Sequence, residues 1–199
     1  MIVALAALLF FLWIAIEVAR GDTLGFDLAV RGAVHAWASP LLTQAMRGVT
    51  LLGEPWLLIP LGLLFSAILM RRGRAHAAVT LAAAAVGGQI LNSILKEIVR
   101  RPRPEAFFGF PQPLDYSFPS GHAMASTCFY VAVAAILGPR KTAHWAFGIA
   151  APLLIGFSRV YLGVHYPTDV LGGYAAAVVW LIVLFRCNIR LIRPSLRSK

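Results

Sequence analysis

Long apolar runs limit what this chain can become. Ile2–Val18, Trp56–Met70, Ala75–Val99, Ser120–Leu137, Trp145–Phe157 and Pro167–Phe185 carry few or no charges. Several approach the ~20 residues that a helix needs to cross the hydrocarbon core of a bilayer. Inside that core the backbone must satisfy its own hydrogen bonds, so each run predicts a helix. The expectation is all-α: one integral-membrane domain over residues 1–199, a bundle of six transmembrane helices. A composition of 59% hydrophobic and 13% charged residues excludes an ordinary soluble domain. The net charge of +10 would otherwise invite a nucleic-acid partner. Here the basic residues stand in short clusters between apolar runs, where membrane topology accounts for them.

The first run lacks the basic flank and small-residue cleavage site of a signal peptide, so it reads as a retained span. Glu17 belongs at its interfacial end, because a charge at the bilayer centre costs ~3 kcal/mol. Gly21–Gly53 is too polar to span. Its Phe26, Val30, Ala33, Val34 and Trp37 recur at helical spacing, with Asp27, Arg31 and His35 along another line. That pattern suits a helical segment lying in the interface between the first and second spans, with His35 a surface histidine. Ser39-Pro40 reads as an N-cap followed by proline at N1, opening a second short helix through about Leu52. In the third span Gln89, Asn92, Ser93 and Lys96 form one polar stripe, which predicts a face turned to the bundle interior. For Gln89 and Asn92, interhelical hydrogen bonding suffices as an explanation. Gly87-Gly88 and Gly172-Gly173 predict close helix packing, and Cys128 and Cys187 read as free, inert thiols.

Arg71, Arg72 and Arg74, Arg140 and Lys141, and Arg186, Arg190, Arg193, Arg197 and Lys199 hold more than half of the 18 basic residues. The positive-inside rule makes these clusters cytoplasmic, and both termini with them. The opposite, extracytoplasmic ends of the spans then carry a different set of polar residues.

Ser158–Asp169 reads Ser-Arg-Val-Tyr-Leu-Gly-Val-His-Tyr-Pro-Thr-Asp and sits where one apolar run ends and the next begins. A histidine one helical turn ahead of a carboxylate, His165 and Asp169, can be held by it in one tautomer, leaving the other ring nitrogen as nucleophile or base. Arg159 adds a cationic fork suited to phosphate. Lys96 is followed after six residues by Arg103-Pro104, and Pro119-Ser120-Gly121-His122 comes next. Pro102 and Pro104 stop the third span and stiffen the turn that aims Arg103. The phenylalanines of the same loop, Phe107, Phe108 and Phe110, read as an interfacial anchor. Ser120 stands where an N-cap should be, so a helix N-terminus with free N–H groups opens there.

Taken in order, Lys-x6-Arg-Pro, Pro-Ser-Gly-His and Ser-Arg-x5-His-x3-Asp resemble the tripartite signature of the type 2 phosphatidic acid phosphatase family. The resemblance covers about Leu51 to Phe185, with the signature over about 96–169. It implies a metal-independent lipid phosphatase that uses no cofactor. Lys96, Arg103 and Arg159 would stabilise the phosphoryl oxygens, with Ser120 and the Gly121 N–H completing the cradle. The family resemblance further implies that His165 attacks phosphorus and becomes a phosphohistidine, Asp169 orients His165, and His122 protonates the departing oxygen. The substrate would be a membrane lipid phosphate or pyrophosphate, met at the outer face of the cell membrane. Within the family the chain resembles bacterial phosphatidylglycerophosphate phosphatases of the B type and undecaprenyl pyrophosphate phosphatases. Rival readings are a lipid-to-lipid phosphotransferase, a non-catalytic lipid-phosphate binding or transport protein, and, more remotely, a vanadium haloperoxidase. Two histidines and an aspartate also suit a metal. Three cations beside them would repel a divalent ion, and Glu97, Glu105 and Asp115 fit no metal-ligand spacing, so no metal is expected.

Overall fold

The computed structural model describes residues 2–138 and 142–192, with side chains to 187, and among these residues every regular element is helical. The helices are α1 (Ile2–Arg20), α2 (Leu24–His35), α3 (Pro40–Leu51), α4 (Pro55–Arg71), α5 (Ala75–Ala82), α6 (Gly88–Val99), α7 (Gly121–Leu137), α8 (Thr142–Tyr161) and α9 (Pro167–Ile192). A single π turn, Ala83–Gly87, joins α5 and α6 into one rod. Among the described residues four rods are long and apolar enough to cross a membrane: Ile2–Arg20, Ala75–Val99, Thr142–Tyr161 and Pro167–Cys187. α3 and α4 pass the same test as a pair bent by 43°, and α7 is a shorter apolar helix. The chain is a multi-pass membrane protein.

α7 is the axle of the bundle. Gly121 to Phe129 are buried without a break, the all-round burial of a central helix. Its small side chains admit α8 on one flank and α9 on the other. Ser126 and Thr127 spend their hydroxyls on the carbonyls of His122 and Ala123, at 2.6 and 2.7 Å, so they cost little in that setting. α1 packs on α9 through Phe11, Ile14 and Val18, while Leu5, Leu9, Trp13 and Ile16 remain exposed for lipid. The third span follows its polar stripe in part: Asn92 and Lys96 are buried and Gln89 half-buried, but Ser93 is exposed with Ile90, Ile94 and Ile98. Close packing at the predicted glycine pair is plain, because a Cβ on Gly88 would lie 2.9 Å from Cys128 Sγ. At the second pair, a Cβ on Gly173 would stand 2.7 Å from the Ser120 carbonyl, so α9 leans directly on the start of α7.

Several expectations need correction. α8 extends beyond Trp145–Phe157 at both ends, and α9 starts at Pro167 as expected but continues past Phe185 to Ile192. Gly21–Gly53 does hold two helices, with Ser39 Oγ accepting from the Leu42 N–H at 3.3 Å and Pro40 at the first helical position. Its polar line is not a solvated face, however: Asp27 and Arg31 are buried where α2 docks on α8 and α9, and only His35 is exposed. Phe107 and Phe108 are half-buried against His35, and Phe108 also stacks on Tyr161. The basic residues Arg140, Lys141, Arg193, Arg197 and Lys199 and the Arg190 side chain lie outside the described residues.

Candidate active site

Four helix ends converge on one cleft of about 410 Å³. α6 delivers Lys96 in its last turn and is closed by Arg100 in the left-handed region, φ 51°. α7 opens on Gly121 and His122, α8 ends with Arg159, and the Leu162–Tyr166 turn carries His165. Lys96, Arg103, Gly121, His122, Arg159 and His165 all line the cleft, beside Glu54, Gln89, Asn92, Phe110 and Asp115. Ser120 and Asp169 are fully buried behind it.

His165 lies in a loop, not on a helix: Pro167 starts α9, and the four-residue step to Asp169 crosses the junction. Gly163, at φ +77°, makes the turn possible. The two ring nitrogens are assigned by their neighbours. Nδ1 is 3.3 Å from Asp169 Oδ2, and Nε2 is 3.0 Å from Arg103 Nη1. A guanidinium can only donate, so Nε2 must accept, and the proton resides on Nδ1 facing the carboxylate. Burial holds the imidazole well below its ordinary pKa, and Arg103, Arg159 and Lys96 push it further down. The ring is therefore neutral, with its free lone pair at the cleft wall.

Asp169 is held on every side. Oδ2 accepts from Ser117 Oγ at 2.5 Å and from the Tyr166 N–H at 2.8 Å, while Oδ1 takes Arg101 Nη1 at 2.8 Å. The other end of the Arg101 fork donates to Asp27 Oδ2 at 2.7 Å, and Thr168 bonds the same aspartate through both its N–H and its hydroxyl. Burial alone would weaken the Arg101 charge, but Asp169 and Asp27 outweigh it and hold the guanidinium more firmly protonated than usual. The guanidinium also lies 4.0 Å from the centre of the Tyr166 ring.

The cations differ in what they have left to offer. Lys96 Nζ bonds the Tyr116 carbonyl and pairs with Asp115 Oδ2 at 2.8 Å. Arg103 spends its donors on the Asp115 carbonyl and carboxylate, on the Val164 carbonyl and on His165. Partial burial works against ionisation of Asp115, yet Lys96 and Arg103 prevail and hold its pKa at about 2. Its carboxylate thus covers two of the three cations that a phosphate would need. Arg159 is 1% exposed, donates to Thr50 Oγ1 at 2.6 Å, and keeps its Nε without a partner. Ser120 caps α7 through the Ala123 N–H at 3.5 Å, and its own N–H donates to the Asp169 carbonyl at 2.9 Å, tying two of the motifs together. Asn92, expected to bond between helices, donates to the Pro119 carbonyl at 3.2 Å; its Oδ1 and Gln89 Oε1 have no partner. Among the described residues no three His, Cys, Asp or Glu side chains converge as a metal site would require.

Sequence reasoning missed Asp27, Thr50, Glu54, Arg101 and Ser117 as parts of this site. Arg101-Pro102 repeats the form of Arg103-Pro104 two residues earlier, and that repeat is the signal which could have drawn attention to Arg101.

The PAP2 superfamily model matches residues 77–193. Phosphatidylglycerophosphatase B of Bacillus subtilis is 32% identical, over 86% of this chain and 87% of its own length. Undecaprenyl-diphosphatase of Sulfolobus acidocaldarius is 30% identical, over 85% and 82% of the two chains. Among solved structures, a transmembrane PAP2-type phosphatidylglycerolphosphate phosphatase from Bacillus subtilis superposes with a TM-score of 0.85 at 30% identity, covering 96% of this chain and 98% of the other.

Proposed function

Because the chain belongs to the PAP2 superfamily, we propose that it is a single-domain, metal-independent membrane phosphatase that hydrolyses lipid phosphates or pyrophosphates through a phosphohistidine on His165. The observation that carries this reading is the neutral His165 ring, its Nε2 lone pair at the cleft wall and its Nδ1 proton on Asp169. Substrate oxygens displace Asp115 from Lys96 and Arg103, and Arg159 Nε and the Gly121 N–H complete the cradle. Nε2 attacks phosphorus in line as the bond to the leaving oxygen breaks, and His122 gives that oxygen a proton. Asp169 stabilises the charge that the ring gains. His122, now neutral, takes a proton from water as the water attacks phosphorus, and phosphate departs with His165 restored.

Six spans follow if α1, α4, α5–α6, α7, α8 and α9 each cross, with α2 and α3 at the outer interface. The basic clusters then lie in the cytoplasm with both termini, and the cleft faces outward at headgroup depth. Single cysteines at Gly73 and Gly109, in a protein lacking Cys128 and Cys187, should label oppositely with an impermeant thiol reagent in intact cells. Labelling of G73C from outside would overturn the orientation.

A cleft at that depth lets an acyl or prenyl tail remain in the bilayer, where each CH₂ kept from water contributes about 0.8 kcal/mol. Lipid phosphates and pyrophosphates should therefore be hydrolysed with far higher kcat/KM than p-nitrophenyl phosphate or glycerol phosphate. Undecaprenyl pyrophosphate and phosphatidylglycerophosphate, the substrate types carried in the relatives' names, rank ahead of phosphatidic acid. The test is kcat/KM for one headgroup on long, short and absent tails; equal values would mean that the membrane only anchors a phosphatase for soluble esters.

A further inference from the structure

We propose that Glu54 is a positioning residue for the general acid, its carboxylate keeping a proton on His122 Nε2 and aiming it at the leaving oxygen. The proposal rests on the phosphatase reading and assigns a residue that lies outside all three motifs. Glu54 occupies the N-cap position of α4, at the bend after α3, where an acidic side chain would ordinarily bond the first free N–H groups. It makes no such bond. Instead it turns into the cleft, and Oε1 comes to 3.1 Å from His122 Nε2.

A carboxylate presents only lone pairs, so its charge favours a hydrogen on an imidazole nitrogen 3.1 Å away. His122 Nε2 is buried and makes no aligned hydrogen bond, so Glu54 acts on it as a charge 3.1 Å away. The two histidines of the cleft are thus set in opposite states by opposite neighbours. Arg103 makes His165 Nε2 an acceptor, and the Glu54 charge favours a proton on His122 Nε2. Such divergence between paired titratable groups separates a base from an acid in one site.

The remaining charges around His122 explain why a carboxylate is needed. Arg103, Arg159 and Lys96 line the same cleft as His122, with Asp115 and His165, so the ring stands among three cations. Glu54 is the carboxylate in contact with the ring. Partial burial works against its ionisation, but the His122 contact and the Arg159 charge win and keep it below its ordinary pKa.

The sign follows directly. An anion beside an imidazolium favours the charged form, so the acid remains protonated to higher pH with Glu54 than without it. Glu54→Gln keeps the shape and removes the charge. Its alkaline limb of kcat/KM should move to lower pH by about one unit or more. Two substrates with the same acyl tail provide the second readout, one releasing an aliphatic alcohol and the other a nitrophenol. The nitrophenolate leaves with little need of a proton, so the ratio of the two rates should widen about tenfold or more in the variant. Glu54→Asp, which keeps the charge, should retain the wild-type ratio more closely and carries the test if the Gln variant does not fold. An unchanged pH limb with equal loss on both substrates would overturn the proposal, leaving Glu54 a structural or substrate-binding group. A wild-type protein that turns over neither substrate would instead overturn the phosphatase reading beneath it.

Discussion

Replacing His165 by alanine should lower turnover of a long-chain lipid phosphate on the order of 10⁴-fold or more and erase the phosphoenzyme. The size of the effect follows from the ring's role. If Nε2 forms the bond to phosphorus, its removal deletes a reaction path, whereas loss of one cation removes only part of the charge stabilisation. Rapid quench of wild-type protein with ³²P-labelled lipid should trap label that is lost in acid and kept in base, as a phosphorus–nitrogen bond requires. H165A should trap none. His122→Ala should still trap it, at a lower rate, because attack survives where leaving-group protonation does not. Labelling and turnover should persist in EDTA, and vanadate should suppress both, since it can adopt the trigonal-bipyramidal shape of the transferring group. An H165A protein with near-normal turnover would remove the nucleophile from this ring altogether.

The ring's readiness also bears on pH. Burial and three cations hold the folded pKa of His165 well below its ordinary value. The nucleophile therefore stays deprotonated through neutral and mildly acidic pH and sets no limb there. A limb from general-acid catalysis would belong to His122, whose ring Glu54 contacts at 3.1 Å.

How much of this was legible in the sequence depends on the kind of signal. Lys96, Arg103, Gly121, His122, Arg159 and His165 are legible because each belongs to a spaced motif at or beside a helix end, and all six line one cleft. The helices themselves were legible because a span must be apolar for its whole length. Asp27 and Arg31 misled for a physical reason. One turn apart on a short amphipathic helix, they look the same whether that face meets water or a neighbour, and only docking on α8 and α9 decides it. Glu54 and Arg101 are single residues whose partners lie 67 positions or more away in the chain, a pairing that no local pattern records. The partners of Phe107 and Phe108, His35 and Tyr161, likewise come from two distant helices.

The second large effect should come from Arg101. Its guanidinium is 8% exposed and holds two fully buried carboxylates, Asp27 at 2.7 Å and Asp169 at 2.8 Å. Arg101→Met fills the space and strands both anions, and breaking one buried pair in this way typically costs about 3–5 kcal/mol. With two anions stranded, the loss should reach the upper part of that range. Asp27→Asn in the same protein removes one stranded charge and should restore part of the stability, so the double variant should be more stable than R101M alone. Activity should separate along a different line. Asp169 Oδ2 would keep Ser117 and the Tyr166 N–H, but Oδ1 would be free to rotate the carboxylate off His165 Nδ1. The result should be a fall in kcat that the Asp27 change does not rescue, with KM little altered, because Arg101 does not line the cleft. Arg101→Lys offers a single ammonium in place of the fork and should fall between the two in both measurements. Unfolding in detergent gives the stability, and steady-state hydrolysis gives kcat and KM. An R101M protein as stable and as fast as wild type would mean that Ser117 and the α9 N-terminus alone hold Asp169 in place.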